Sequence, residues 1–531
     1  MTTAILVEKG DNVAMLTAPV EAGEEVLITG TDQIIKALEA IGAGHKIALT
    51  RLDAGQSAVK FGIPIGRMSA PVEIGGWIHS HNMDDTTEQL CGQYCREFRD
   101  GLRTIKTFPP EEPREIRTIK AYPRKNGGFG IRNYIMVIPT APECNAAAEA
   151  ISDKTGCAWF VCDRTRLEKG TITDYTKNAM IYTGRNPNMY ALLIISPDSG
   201  RALGTEISEA IAEAGREVKF LSMGQSDAQK IIGDGTAIIE GFQREASQLK
   251  REPVSMAGFG LAVHCSGSDW TSAINGNAVV GGAADLVVQN HGRVFMTEWM
   301  EWSGSQHLMA EKCATYELGI ELLDTVDHVR EVVLLETGKP VEYMNPAPGN
   351  KEGGLTTLVE KSTGTIRKCG TTPIQGLLNY CEQPTGKGVW LPKHDSVWPP
   401  TTAIYGSLSG AHMSVLNTGL GWLYFELPHM PCIRTTGNPE TFANEEFKLD
   451  FDAGLAFEKP IAEVGEIFFE YLMCVAEEEE SPQTEVDKNR AFNMYYYVEN
   501  EFGKDRDLTK MIPNVVHNYH SNYNAYTDSV K

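Results

Sequence analysis

From Ile131 onward the chain alternates short apolar runs, YIMVIPT, ALLIIS and EVKFLSM, with segments of helical periodicity, GTEISEAIAEAG and SDAQKIIGDGTAIIEGFQREASQLK. This is the grammar of parallel strands covered by crossover helices. A further α/β region opens near Val254 with MAGFGLAVHCSGSD. The first 98 residues read differently, because VAMLTAPVEAGEEVLI, GHKIALTRLDAGQSAVKFGIPIG and APVEIGGWIHSHNM are brief apolar alternations cut by glycine, the pattern of a compact all-β module. Between the two lies LRTIKTFPPEEPREIRTIKAYPRKNGG, rich in proline and of mixed charge, which reads as a surface linker. The sequence thus predicts a small all-β N-terminal module over 1–98, a linker over 99–127 and an α/β second domain over 128–252. An α/β C-terminal domain over 253–531 follows, and the sheets are expected to be largely parallel. The tail from Glu477, EEEESPQTEVDKNR and then MYYYVENEF, is less regular and is expected to wrap the surface or a partner subunit.

At 531 residues the chain exceeds what one core supports. Its net charge of -22 argues against nucleic acid or an anionic membrane as partner and leaves room for a small acid in a local basic cleft. The start MTTAILVEKGDN has no basic stretch followed by an apolar run, and no window offers about 18 uncharged apolar residues. A cytoplasmic homo-oligomer is expected. Eleven cysteines, an odd number without zinc-knuckle spacing beyond the loose pair Cys91 and Cys95, favour reduced thiols.

Several stretches look built for a ligand. In NPAPGNKEGGLTT the prolines and glycines fix a turn, Gly353 and Gly354 leave main-chain NH groups open, and a helix begins at Leu355. The motif reads as a carboxylate cradle, with Lys351 neutralising the acid or acting as base. The bland alternative is a loop whose lysine points to water. Thr371 and Thr372 of CGTTP offer hydroxyls to substrate oxygens. His79 and His81 of WIHSHN would share one face of a strand and suit a borderline cation, unless they are an ordinary pair at a strand end. Cys265 and Asp269 of HCSGSDW follow the strand MAGFGLAV, where open sheets bind ligands, although Cys265 also reads as an inert thiol and Asp269 as a helix cap. In TEWMEWSGSQHLM a helix start could turn Glu298, Glu301 and His307 toward one pocket. Arg132 of GIRN is either a carboxylate clamp or a surface cation.

GHKIALTRLDAGQSAVKFGIPIGR, HSHN, GIRNYIMVIPT, CSGSD, NPAPGNKEGGLTT and CGTTP, in that order and spacing, resemble the altronate and galactarate dehydratase family over residues 1 to about 460. The resemblance implies a SAF-type β module and two α/β regions that eliminate water from sugar acids with a divalent metal such as iron. It implies metal ligands among His79, His81, Cys265, Asp269, Glu298 and His307, and proton transfer by Lys351, His79 and His81. Substrate contacts are implied for Arg132, Asn350, Gly353, Gly354, Thr356, Thr371, Thr372, Asn417 and Thr418. Such an elimination needs a base for the proton beside the carboxylate, charge stabilisation for the enediolate and an acid for the leaving hydroxyl.

The chain departs from the family pattern. Members usually carry His-Gly-x-Gly-Cys and Gly-Cys-Glu where this chain has VCDRTRLEKG and ISPDSGRALG, and Thr-Gly-Arg-Gly-Ser near NTGLGW. Leu420 takes the place of that arginine, and Trp270, Trp299, Trp302 and Trp422, half of the eight tryptophans, fall in or beside site motifs. A substrate less polar at its far end, or carrying a cation, is expected. A related lyase expelling sulfite or an amine, and a non-catalytic hydroxy-acid-binding protein, are the alternatives.

Overall fold

The computed structural model describes residues 1–493 except 109–114, 163–166, 169–170, 226, 394–400, 424–426 and 488–489. The glycine-cut N-terminal stretch folds as expected into β structure. Six strands pair in the spatial order Ile34–Lys36, Glu25–Thr29, Thr2–Ile5, Val13–Leu16, Lys46–Ala48 and Trp77–Ile78. Ser57–Lys60, Ile63–Met68 and Met83–Asp84 form a second, antiparallel sheet. The all-β pattern stops before residue 98, because Thr87–Arg99 is a helix that buries Thr87, Cys91, Cys95 and Phe98, residues spaced three or four apart on one face.

Part of the stretch read as a linker is ordered into a sheet. Thr118–Pro123 pairs antiparallel with Glu252–Ser255 and Phe129–Gly130, and the alternation in TIKAYP buries Ile119 and Ala121. The middle domain is a parallel sheet in the order Glu217–Met223, Met189–Pro197, Tyr134–Pro139, Ala158–Val161 and Ala491–Asn493. Apolar clusters, one around Met136 and Leu192 and one around Val137 and Leu193, cover its two faces. Its last strand comes from the tail, whose tyrosine-rich remainder lies outside the described residues.

The C-terminal body holds a seven-stranded, wholly parallel sheet in the order Ile374–Leu378, Gly388–Pro392, Arg293–Met296, Gly260–Ser266, Met413–Thr418, Cys432–Thr436 and Phe451–Asp452. The chain builds outward from Gly260–Ser266 on one side, then returns to build on the other. The topological switch point, where open α/β sheets place ligands, is therefore the carboxyl end of Gly260–Ser266 and Met413–Thr418. No helix among the described residues is long and apolar enough to cross a membrane.

Several histidines are held neutral by burial. His412 accepts from Gly260 N at 3.0 Å and donates from Nε2 to the Phe129 carbonyl at 2.9 Å, so a second ring proton would break the first bond. Burial pushes His264, His307, His412 and His429 down to about 3, and His45 to about 4. Because the folded values are depressed, the stability these groups contribute is present above the unfolded value near 6.5 and is lost as pH falls toward the folded values. Each such histidine contributes a slope of about 1.4 kcal/mol per pH unit in that window. The melting temperature is expected to fall steeply between pH 6.5 and pH 4, with net proton uptake on urea unfolding at pH 5.5. A flat melting temperature from pH 7 to pH 5 contradicts the neutral burial of these rings.

Candidate active site at the seam between module and body

Three segments that follow strands meet at the switch point. The fully buried strand Gly260–Ser266 ends in Cys265, which registers with Asn417, and Ser266, which registers with Thr418. Gly267 then turns with φ +49°, and a Cβ there would lie 2.7 Å from the Trp422 ring, so only glycine fits. Arg293–Met296 ends just before Glu298. Across this edge lies the NPAPGNKEGG turn, fastened by Asn350 Nδ2 to the Ser268 carbonyl at 2.7 Å and by Trp270 N to the Gly353 carbonyl at 2.8 Å.

Beneath the turn is a set of buried ion pairs. Lys361 Nζ lies 2.6 Å from Glu301 Oε2 and donates to Asn345 Oδ1 at 2.6 Å and Asn350 Oδ1 at 3.2 Å. Lys368 Nζ lies 2.6 Å from Glu298 Oε2, while Glu298 Oε1 accepts from Cys265 N at 2.6 Å. Burial holds Glu298 above the ordinary carboxylate range even beside Lys368, whereas for Glu301 the opposing pull of Lys361 wins and holds it below. Burial pushes the Cys265 thiol up to about 12, so it is a thiol at neutral pH. Asn417 Nδ2 donates to Asn277 Oδ1 at 2.8 Å. Asn417 Oδ1, Thr418 Oγ1 and Asn275 Nδ2 are buried without a hydrogen-bond partner among the described residues, a state that calls for a ligand or water.

The module closes the site from the other side. His79 Nε2 donates to the Lys351 carbonyl at 3.1 Å, and Ser80 Oγ donates to His79 Nδ1 at 2.9 Å, which fixes the neutral tautomer of that ring. Burial holds His79 below its ordinary value. The strand expected to carry both histidines ends at Ile78, because Asn82 bonds His79 N and the Trp77 carbonyl and closes a turn there. The two rings nonetheless share a face, 6.4 Å apart and 20° from parallel, flanked by Trp77. The Lys351 ammonium has no partner among the described residues.

Other expected roles are not where the motifs suggested. The carboxylate cradle is filled by the protein itself. Glu360 Oε2 accepts Thr356 N at 2.9 Å and Thr356 Oγ1 at 2.7 Å, and Asp85 Oδ2 accepts Leu358 N at 3.0 Å. Main-chain NH groups of Gly353, Gly354 and Leu355 are spent on Gly349, Lys351 and Asn350 carbonyls. Thr371 and Thr372 precede the strand Ile374–Leu378, at the opposite edge of the parallel sheet, where Asp285 accepts both main-chain NH groups and the Thr371 hydroxyl. Arg132 grips Glu485, at 2.8 Å through both Nε and an Nη, and Tyr134 joins the same carboxylate.

The expected metal ligands do not converge. Asp269 is a cap: its Oδ1 accepts from Thr271 Oγ1 at 2.6 Å and Ser272 N at 3.0 Å, and its Oδ2 from Asn438 at 2.9 Å. His307 faces the helix Thr87–Arg99, with its ring 4.9 Å from Tyr94 and Nδ1 3.8 Å from Cys91 Sγ. Glu298 is turned to Lys368. Among the described residues no three His, Cys, Asp or Glu side chains form a group able to hold a metal ion. Among the described residues the expected ligands, as placed, do not form a donor set that fits a resident divalent metal.

The sequence reading missed Lys361, Lys368 and Glu360. The available signal was four charges, Glu360, Lys361, Arg367 and Lys368, within TTLVEKSTGTIRKC, which becomes the wholly buried helix Leu358–Thr365 and the turn after it, where a buried charge must be paired. Trp299 and Trp302 are core, their rings tilted by 42° with centroids 4.8 Å apart.

Comparison with known proteins agrees with this layout. Three domain models match: the altronate/galactarate dehydratase SAF domain over residues 2–86, the D-galactarate dehydratase/altronate hydrolase second domain over 121–247, and the D-galactarate/altronate dehydratase C-terminal domain over 256–499. The chain is 28% identical over 499 residues to altronate dehydratase of Bacillus subtilis, covering 90% of this chain and 95% of that protein. Altronate dehydratase of Escherichia coli is 29% identical over 463 residues, covering 84% and 89%. The beta subunit of (2R)-sulfolactate sulfo-lyase from Chromohalobacter salexigens is 29% identical over 364 residues, covering 68% and 92%.

The partner seen for Arg132 is testable. Arg132→Met is expected to cost about 3 kcal/mol in urea unfolding, the lower end of the range for stranding one partner of a buried pair, because Glu485 is partly exposed. A double-mutant cycle with Glu485→Gln should give about 1–3 kcal/mol of coupling. No coupling, together with a raised KM, would return Arg132 to the substrate.

Proposed function

The chain is a divergent member of the altronate/galactarate dehydratase family, and from that membership and the seam geometry we propose that it removes water from a sugar-acid-like hydroxy acid to give a 2-oxo acid. The proton at C2 goes to a base, the C3–O bond breaks as that oxygen takes a proton and leaves as water, and the enol left behind becomes the 2-oxo acid. The observation that carries this reading is the Lys351 side chain, without a partner among the described residues, which stands on the turn whose carbonyl His79 holds and over the buried Lys361–Glu301 pair.

In this reading Lys351, as the free amine, takes the C2 proton. The imidazoles of His79 and His81 carry a proton to the departing hydroxyl. Lys361 and Lys368 set positive charge toward the enediolate, the term that lowers the barrier most in such eliminations. Asn417 and Thr418 offer an unused acceptor and hydroxyl to the substrate's own hydroxyls. Leu420 and Trp422 both lie against Gly349 of the turn, at 3.5 and 3.0 Å from the position of a Cβ there. That apolar wall supports a substrate that is less polar at its far end than a dicarboxylate.

A second reading has its own support in the sulfo-lyase relative: the same C2 proton abstraction with sulfite as leaving group. Product analysis separates the two. Incubation with a panel of hydroxy acids, with and without a chelator and added divalent cation, should yield 2-oxo acid without sulfite or amine. Lys351→Ala should lower kcat by about two to four orders of magnitude, the usual range for a positioned base, and abolish solvent-deuterium exchange into recovered substrate. Wild-type exchange in Lys351→Ala would exclude that residue as the base, and a loss confined to KM would make it a carboxylate anchor.

A further inference from the structure

The module is docked on the body through one carboxylate and two ammonium groups, all three wholly buried. Lys46 lies on the module strand Lys46–Ala48 and Lys60 at the end of Ser57–Lys60, while Glu360 lies on the body helix Leu358–Thr365. Lys60 Nζ reaches Glu360 Oε1 at 2.9 Å. Lys46 Nζ reaches both Glu360 oxygens, at 3.1 and 3.0 Å, and also the Gly354 carbonyl at 2.9 Å.

A single lysine would neutralise Glu360 and tie the seam. The second leaves one buried positive charge in excess within this group, which is costly unless it does something further. Of the two, Lys46 is the one that touches the turn. Gly354 has φ +88° and stands so close to the module that a Cβ would lie 2.1 Å from the Gly44 carbonyl. The Gly354 NH in turn donates to the Lys351 carbonyl at 3.0 Å, the same carbonyl that His79 holds.

We propose that Lys46 is a positioning residue for the reaction: by holding the Gly354 carbonyl it fixes the turn so that Lys351 faces His79 and His81, while Lys60 serves docking alone. The proposal rests on the reading of Lys351 and the histidines given above. An error of about 1 Å in the placement of a reacting group can cost about 100-fold in rate.

The test compares Lys46→Met with Lys60→Met in the full chain, each assayed well below its melting temperature. Both are expected to lower the melting temperature. Lys46→Met should lose about 100-fold in kcat with KM within about threefold, and Lys60→Met should keep kcat within about threefold. Amide hydrogen exchange followed by mass spectrometry should show peptides covering 351–356 exchanging faster in Lys46→Met but not in Lys60→Met, a readout that holds even if no hydroxy acid in the panel turns over. Should Lys46→Met fail to fold, Lys46→Arg keeps the charge opposite Glu360 while its bulkier head displaces the Gly354 carbonyl, and the same loss of kcat and faster exchange are expected. Equal exchange and equal kcat in the Lys46 and Lys60 variants, or wild-type behaviour of Lys46→Arg, overturns the proposal.

Discussion

The rest of the site depends on where Glu360 puts its charge. It lies in a helix buried along its whole length, so its carboxylate has no water and must find donors in the protein. It finds them at its own helix start, from Thr356, and across the seam, from Lys46 and Lys60, and these hold it far below the ordinary carboxylate range even though burial pushes the other way. Helix N-termini attract anions, and here the anion is built in. The consequence is mechanical. The segment from Lys351 to Glu360 is fixed at one end by His79, in the middle by Lys46 and at the other by Asp85 and Thr87, which accept Leu358 N and Val359 N.

The Lys–Glu pairs under the turn are electrically balanced, and that is why they can be so deep. Lys361 with Glu301 and Lys368 with Glu298 each bring one charge of either sign out of water, and both are supplemented by amide groups from Asn345, Asn350 and the Cys265 main chain. Stranding one partner of such a pair typically costs about 3–5 kcal/mol. A pair that neutral could serve structure alone. Its position argues for chemistry as well, since both glutamates follow the strand Arg293–Met296 beside the switch point of the sheet.

Much of the fold was legible because it is written in local patterns. The runs YIMVIPT, ALLIIS and MAGFGLAV became buried parallel strands, and glycine-cut alternation became the β module. The placement of candidate residues was legible where a motif follows its strand: CSGSD after Gly260–Ser266, Glu298 after Arg293–Met296 and Asn417–Thr418 at the end of Met413–Thr418. It was misread where a motif precedes its strand. CGTTP precedes Ile374–Leu378 and so starts that strand at the far edge of the sheet, although the sequence order held that information. The partners that settled other roles lie too far along the chain for any local pattern: Glu485 is 353 residues from Arg132, and Glu360 is 314 from Lys46.

The distribution of charge would let a chain so acidic receive the hydroxy acid proposed for it. Its formal charge of -22 repels a carboxylate on average, but that charge sits mostly in water, where it is screened beyond about 10 Å. At the seam the balance differs. Lys46 and Lys60 face one Glu360 in a region without water to screen them. Asp85, which accepts Leu358 N, is an opposing charge at the helix start, and it is exposed, so its influence is weakened by solvent while theirs is not. The excess of positive charge at the seam favours a small anion there, and the neutral imidazole of His79 beside it adds a hydrogen-bonding group without altering that sign.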